Sequence, residues 1–485
     1  MTERSDLQPP PERRMFCNRT LNMRSIKAVG FDMDYTLVHY DVLAWEARAY
    51  AHVQQRLADN GLAVHDLQFA PERFARGLIL DVQLGNIVKC NRFGYVTQAA
   101  HGTRMLPHEE QRRTYNHVWV ELSDARWVFL NTLFSHSEAC LYAQLVDRLD
   151  QGLLPRALDY RRLYDAIIDA MNGAHLEGQL KAEIIADPER FVDLDPQLPQ
   201  TLLDLKHAGK KLFLATNSEW HYTRAMMAFA FGPWLDAIGG SERQWRSLFD
   251  LVIVQAKKPA FFEQRNPFLE VVDDAGATVP LQGPLLASGI YRGGSAEAVQ
   301  QHFGLDGSEI LYVGDHVYAD VHVSSRLRHW RTALVLRELE GEVRAETAFA
   351  RQQQELEALM REKERKDHEQ ATLRLSLQRL DHGGALPNGI GGGAGSIHER
   401  LRALRGELEA LDQRIGPLAQ KATSLGHPVW GPLMRAGADK SRLARQIERH
   451  ADVYTSRVSN LLYLTPFGYL RAARGSLPHD LPRSG

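Results

Sequence analysis

Asp32 and Asp34 stand two residues apart in the run Phe31-Asp32-Met33-Asp34-Tyr35-Thr36. Ahead of them lies IKAVGF (26–31), a short apolar segment rich in strand formers. In open parallel sheets, ligands bind beyond the carboxyl ends of the strands, so a strand ending here presents both carboxylates where chemistry is done. One can attack as a nucleophile while the other moves protons. A calcium loop starting at Asp32 would need Gly at its sixth position and Glu at its twelfth. Leu37 and Leu43 occupy those places, which excludes it. Alone, such an acidic pair is more often a polar turn than a site.

Three further apolar runs end in the same manner. KLFLAT (211–216) closes on Thr216 and is followed by Asn217 and Ser218, a hydroxyl, an amide and a hydroxyl suited to phosphate oxygens. DLVIV (250–254) leads into Gln255-Ala256-Lys257-Lys258-Pro259, which supplies a cation. EILYVG (309–314) is followed by Asp315, with Asp320 five residues on. A nucleophilic carboxylate, a second carboxylate, hydroxyls, an ammonium and a metal-ligating carboxylate form a full set for phosphoryl transfer.

These runs, with TALVL (332–336), alternate with helix-like stretches. The alternation predicts an α/β protein built on a doubly wound, Rossmann-like parallel sheet. Almost 180 residues separate the first run from the second, where a simple crossover needs only a few tens. A large, mainly helical cap is therefore expected over 41–195, with WVFLNTLF (127–134) and ACLYAQLVDRL (139–149) in its own core. Residues 1–24, polar and Pro-rich, read as a mobile leader, and 25–40 with 196–345 as the core that carries these strands. The segment 346–425 is charged and helix-prone, interrupted by the Gly-rich stretch 382–396. Ile397, Leu401, Leu404, Leu408, Leu411 and Ile415 then repeat at heptad spacing, the mark of a helical hairpin packing on itself or on another subunit. Gly416-Pro417 is expected to end that helix. Residues 426–485 turn aromatic and apolar again and should return to the core.

Lys and Arg number 58 against 60 Asp and Glu, so no global basic field marks a nucleic-acid partner. The apolar runs fall well short of the roughly 20 residues that span a bilayer, and the N-terminus lacks the apolar stretch of a signal peptide. A cytoplasmic protein without a membrane partner is expected. Cys17, Cys90 and Cys140, widely spaced, fit free thiols in a reducing compartment.

FDMDYT, LATNS, KKP and YVGDHVYAD, in this order, resemble the four motifs of the haloacid-dehalogenase superfamily of phosphohydrolases. Longer segments (CNRTLNMRSIKAVGFDMDYTLVHY, GNIVKCNRFGYVTQAAHG, YRGGS and RQIERHADVYTSRVSNLLYLTPFGYL) resemble the cytosolic purine 5'-nucleotidase family, over about 16–345 and 426–480. The resemblance implies that Asp32 becomes an aspartyl-phosphate and that Asp34 protonates the leaving oxygen, then activates water. It assigns Thr216, Asn217, Ser218 and Lys258 to phosphate. It implies Mg²⁺ held by Asp32, the Asp34 backbone carbonyl and Asp315, with Asp320 in support behind it. His175 and Lys181 match substrate contacts in the cap. Asn172 stands where purine-specific members carry Asp, and Ile168 where they carry Arg, so base preference is where this chain departs. Asn131, His316 and Gln446 match a nucleotide effector site, although Glu121 replaces an Arg there. The implied activity is Mg²⁺-dependent hydrolysis of nucleoside 5'-monophosphates, purine above all, by a homo-oligomer, dimer or tetramer. Phosphotransfer to a nucleoside, hydrolysis of another small phosphate ester, and an oligomeric scaffold with a vestigial core are the alternatives.

Overall fold

A computed structural model describes residues 8–132, 135–171, 174–237, 244–387, 393–473 and 475. The segment Ala28–Phe31 is buried along its whole length. Such a strand can only lie inside a sheet covered on both faces. It does so at the centre of a ten-stranded sheet. Lys211–Ala215 and Ile310–Gly314 flank it in parallel, Leu214 and Val313 both pairing with Phe31. Beyond Lys211–Ala215 come Leu251–Val254 and Gly289–Gly293; beyond Ile310–Gly314 come Arg331–Val335 and Val453–Thr455, all parallel. Antiparallel strands finish both edges.

The chain thus winds outward on one side of Ala28–Phe31, then returns to wind outward on the other. The strand order reverses beside Ala28–Phe31, and loops leaving neighbouring strands there diverge to open a crevice. Alternate strand residues feed two cores. Val29, Phe31, Leu212, Leu214 and Val313 enter one; Ala28, Phe213, Ala215, Ile310 and Tyr312 enter the other. Gly30 is required by close approach, since a Cβ there would lie 2.2 Å from the Phe213 ring.

The large insertion leaves the core on strand His39–Tyr40 and comes back on Val192–Asp193, the two pairing antiparallel. Helices Val42–Asp59, His136–Asp150 and Tyr160–Met171 pack together within it. It also holds a five-stranded antiparallel sheet in the order Arg104–Met105, Val96–His101, Asn86–Cys90, Ile79–Asp81, Trp127–Phe129. The expectation of a mainly helical cap missed this sheet. Asn86–Cys90 is buried throughout, so it lacks the alternation that marks a half-exposed strand. Trp127–Phe129, read within a helical core, is the strand at one edge of that sheet.

The expected mobile leader also needs correction from residue 8 onward. Phe16–Cys17 pairs with Val453–Thr455 and Leu21–Asn22 with Tyr469–Leu470. Arg13 donates to Ser459 Oγ at 2.9 Å and Gln197 Oε1 at 2.7 Å. These partners lie hundreds of residues away, so local composition gave no sign of them.

A second compact unit spans Gly341–Pro432. Helix Leu339–Asp381 begins before residue 346 and runs into it. Within the unit, Leu359 meets Leu411 and Ile415 while Leu373 meets Ile397 and Leu404, so the two helices run antiparallel. Helix Ala394–Thr423 continues through Pro417, contrary to expectation. Leu418 and Ala419 pack on the Leu359 cluster, and that burial offsets the hydrogen bond lost at proline.

Candidate active site

Four loops leave adjacent strands of the central sheet at the same edge. Three non-glycine residues in them adopt left-handed backbone: Tyr35 (φ 53°), Gln255 (φ 45°) and Lys257 (φ 59°). Strain of this kind persists where the surroundings over-determine the backbone, and it gathers at functional sites. At the loops' meeting point a cavity of about 460 Å³ is lined by Asp32, Asp34, Asn217, Ser218, Lys258 and Asp315 among others.

Lys258 is the hub. Its Nζ lies 2.8 Å from Asp32 Oδ1 and 2.8 Å from Asp320 Oδ1. It also donates to Tyr312 Oη at 3.2 Å, and Tyr312 passes a hydrogen bond to Ala215 O. Its neighbour Lys257 is exposed, so of the tandem it is Lys258 that lies buried beside Asp32. Ligating oxygens of Asp32, Asp315 and Asp320 lie within 4.8 Å of one another, all three residues buried. An all-oxygen set of carboxylates fits Mg²⁺ better than a softer metal.

Burial dominates the electrostatics. It pushes the Asp32 carboxyl well above its ordinary range; Lys258 opposes that, while Asp320, Asp315 and Asp34 add to it. Burial and Asp320 raise Asp315 to about 7, against Arg76 and Lys258. For Lys258 burial works downward, but Asp32 and Asp320 outweigh it and hold the ammonium well above its usual range. With all three carboxylates ionised, Asp32, Asp315 and Asp320 would outnumber the Lys258 ammonium, and a bound divalent cation would offset that excess.

Asp34 faces a different set of partners. Its Oδ1 accepts from Tyr40 Oη at 2.6 Å and its Oδ2 from Ser218 Oγ at 2.8 Å. The side chain is thus engaged away from Lys258. Asp320, expected as support, has Oδ1 on Lys258 and Oδ2 on the His316 N–H at 3.1 Å. Asn217 is locked to the lysine loop, donating to Lys258 O at 3.1 Å and accepting from Lys258 N–H at 2.6 Å. Fully buried Thr216 accepts the Ser218 N–H at 3.1 Å, so it shapes the turn that presents Asn217 and Ser218.

Lys181 also lines the cavity. It pairs with Glu219 at 2.8 Å and lies over the Tyr222 ring at 5.0 Å. Asn172 and the His175 side chain fall outside the described residues. Of the effector matches, His316 Nδ1 accepts from Tyr318 N–H and Ala319 N–H and so caps the turn after Asp315. Asn131 offers its carbonyl to Arg76 Nε at 2.7 Å. Gln446 Oε1 lies 3.2 Å from His450 Nε2, on the helix Arg442–His450.

Sequence reasoning missed Arg76 and Tyr40. Arg76 is fully buried and reaches Asp315 O at 2.6 Å from 239 residues away, a link no local signal carries. The cavity wall was missed as well: Trp45, Ala49, Val53 and Leu180 come from the insertion and give it an apolar side.

Fold and site together define a phosphoric monoester hydrolase of the doubly wound α/β kind. The chain belongs to the 5' nucleotidase family, which matches it over residues 15–482. It is 27% identical over 479 residues to a 5'-nucleotidase domain-containing protein of Dictyostelium discoideum, covering 96% of this chain and 74% of that one. It is 30% identical over 366 residues to 5'-nucleotidase domain-containing protein 2 of Homo sapiens, covering 70% and 67%. Solved structures overlay loosely: a predicted phosphoglycolate phosphatase from Haemophilus somnus (13% identity, TM-score 0.27, covering 64% of this chain and 85% of that one) and a phosphatase from Thermococcus onnurineus (13%, 0.25, covering 64% and 87%). Among the described residues, no helix is long and apolar enough to cross a membrane.

Proposed function

We propose that this chain is a Mg²⁺-dependent 5'-nucleotidase, hydrolysing nucleoside 5'-monophosphates, purine ones above all, through an aspartyl-phosphate on Asp32. The observation that carries the reading is the division of labour between two carboxylates two residues apart. Asp32 meets the buried ammonium of Lys258, whereas Asp34 is held by two hydroxyls. That difference supports reading one as the nucleophile and the other as the proton carrier. The apolar wall of Trp45, Val53 and Leu180, with Tyr222 beside it, suits an uncharged aromatic group such as a nucleobase.

Mg²⁺ would be held by Asp32, Asp315 and the Asp34 carbonyl, and when bound it offsets phosphate charge. Lys258 draws the phosphoryl group toward Asp32, and the second amide N–H of Asn217, beyond the one given to Lys258 O, steadies its oxygens, while Ser218 keeps its hydroxyl proton on Asp34. Asp32 Oδ attacks phosphorus in line as the P–O5' bond breaks, and Asp34 gives its proton to O5'. The nucleoside leaves. Asp34, now a carboxylate, takes a proton from water as the water oxygen bonds to phosphorus. The bond between phosphorus and Asp32 breaks, freeing inorganic phosphate and restoring both aspartates.

A phosphate-release screen over 5'-mononucleotides, deoxynucleotides and sugar phosphates with Mg²⁺ tests the substrate class. Asp32→Asn should lower turnover of every substrate by about a thousandfold or more, since a nucleophile is lost. Substantial residual turnover in that variant would refute the nucleophile assignment.

A further inference from the structure

Asp34 can act as an acid and base only if its carboxyl group points at the leaving oxygen. A terminal carboxylate torsion is soft and roughly two-fold, so the direction has to be imposed from outside. Ser218 holds one oxygen and Tyr40 the other, at 2.8 and 2.6 Å. Two donors on opposite oxygens define the plane; one alone leaves the group free to turn. Tyr40 is itself braced, because Tyr222 Oη donates to Tyr40 Oη at 2.9 Å. That leaves the Tyr40 proton for Asp34.

The position of Tyr40 in the chain adds to this. It ends the strand on which the chain leaves the core and pairs with Val192 on the returning strand. The next residue, Asp41, caps helix Val42–Asp59 by accepting the Ala44 N–H at 2.9 Å. That helix carries Trp45, Ala49 and Val53 into the cavity. The hydroxyl on Asp34 is therefore fixed at the root of the segment that walls the substrate site.

We propose that Tyr40 is a positioning residue: its hydroxyl, braced by Tyr222, aims the Asp34 carboxyl at the leaving oxygen and ties that aim to the base of the insertion. The inference rests on the hydrolase reading above. Tyr40 exchanges no proton with substrate. The proton still passes from Asp34 to O5' as the P–O5' bond breaks, and returns to Asp34 from water.

Leaving-group dependence separates this role from simple support of the fold. Expulsion of a nucleoside alkoxide needs the proton, whereas p-nitrophenolate leaves without one. Wild type is first shown to release phosphate from a nucleoside 5'-monophosphate with Mg²⁺; if it does not, the hydrolase reading itself fails. In Tyr40→Phe, kcat for the nucleotide should fall at least about tenfold, part of the usual contribution of a general acid. KM should stay within about twofold, as for an interaction made only in the transition state. The first-turnover release of p-nitrophenol from p-nitrophenyl phosphate should fall less than about threefold, since that step draws on no acid. Tyr222→Phe should show the same split at smaller size, and it carries the test if Tyr40→Phe does not fold. Equal losses on both substrates, or none on either with wild type active, would overturn the proposal.

Discussion

Lys258 lies 2.8 Å from Asp32 and 2.8 Å from Asp320 in the core; Arg400 lies 2.7 Å from Glu369 and 2.7 Å from Glu407 in the helical hairpin. The distances match, but the solvent does not. The Lys258 side chain is 3% exposed and that of Arg400 40%. In the hairpin, water screens each charge and the pairs add little to stability. In the core the same separation governs which group keeps its proton, and the carboxylates shift far from their ordinary range. An ion pair at a given distance is therefore a surface ornament or a reactive cluster according to what surrounds it.

Lys258→Met should break the comparison most strongly. It leaves Asp32 and Asp320 buried without their cation, which costs about 3–5 kcal/mol. Thermal unfolding should show the drop in metal-free buffer, and Mg²⁺ should recover part of it by binding the carboxylates. A loss no larger than that of a surface pair would mean that burial does not set the difference.

Glu46 offers an intermediate case in the insertion. It is fully buried, and its Oε2 accepts from the Ser137 N–H at 2.6 Å. Burial pushes it up to about 8, while that N–H opposes the rise. The folded state therefore grips the proton more tightly than the unfolded chain does. The stabilisation is fully present below the ordinary carboxyl range and is lost as pH rises through about 8. Glu46→Gln should leave Tm unchanged at about pH 5 and raise it by about 2 °C at about pH 9. An equal effect at both pH values would place the cause elsewhere.

Arg400→Ala is the smallest of these. Despite its two close contacts, Tm should move by less than about 1 °C, and less still at high salt. A clear loss would show that the hairpin depends on its ion pairs, not on the seam of Ile397, Leu404 and Leu411.

The core site was legible because each of its parts is local. Asp32, Ser218, Lys258 and Asp315 all follow short apolar runs closely, and a strand-end rule places such residues together without knowledge of the strand order. The hairpin seam was legible for a similar reason, since heptad spacing lies within one helix. The five-stranded sheet of the insertion was not, because its middle strand Asn86–Cys90 is buried on both faces and carries no alternation. Nor was the ordered leader, whose strand partners are supplied by 453–455 and 469–470. Pro417 misled in the other direction: a strong local stop signal yielded to packing by Leu418.

By itself the sequence determined the chemistry on offer: two aspartates two apart, a hydroxyl-amide-hydroxyl turn, a lysine before proline and a late acidic loop. Covalent order and short-range periodicity are enough for that. Only the tertiary structure decided that Lys258 stands between Asp32 and Asp320, that Tyr40 and Ser218 hold Asp34, and that Arg76 reaches across 239 residues to Asp315. These depend on distances between residues remote in the chain and on the exclusion of water around them. Neither quantity exists until the chain has closed on itself.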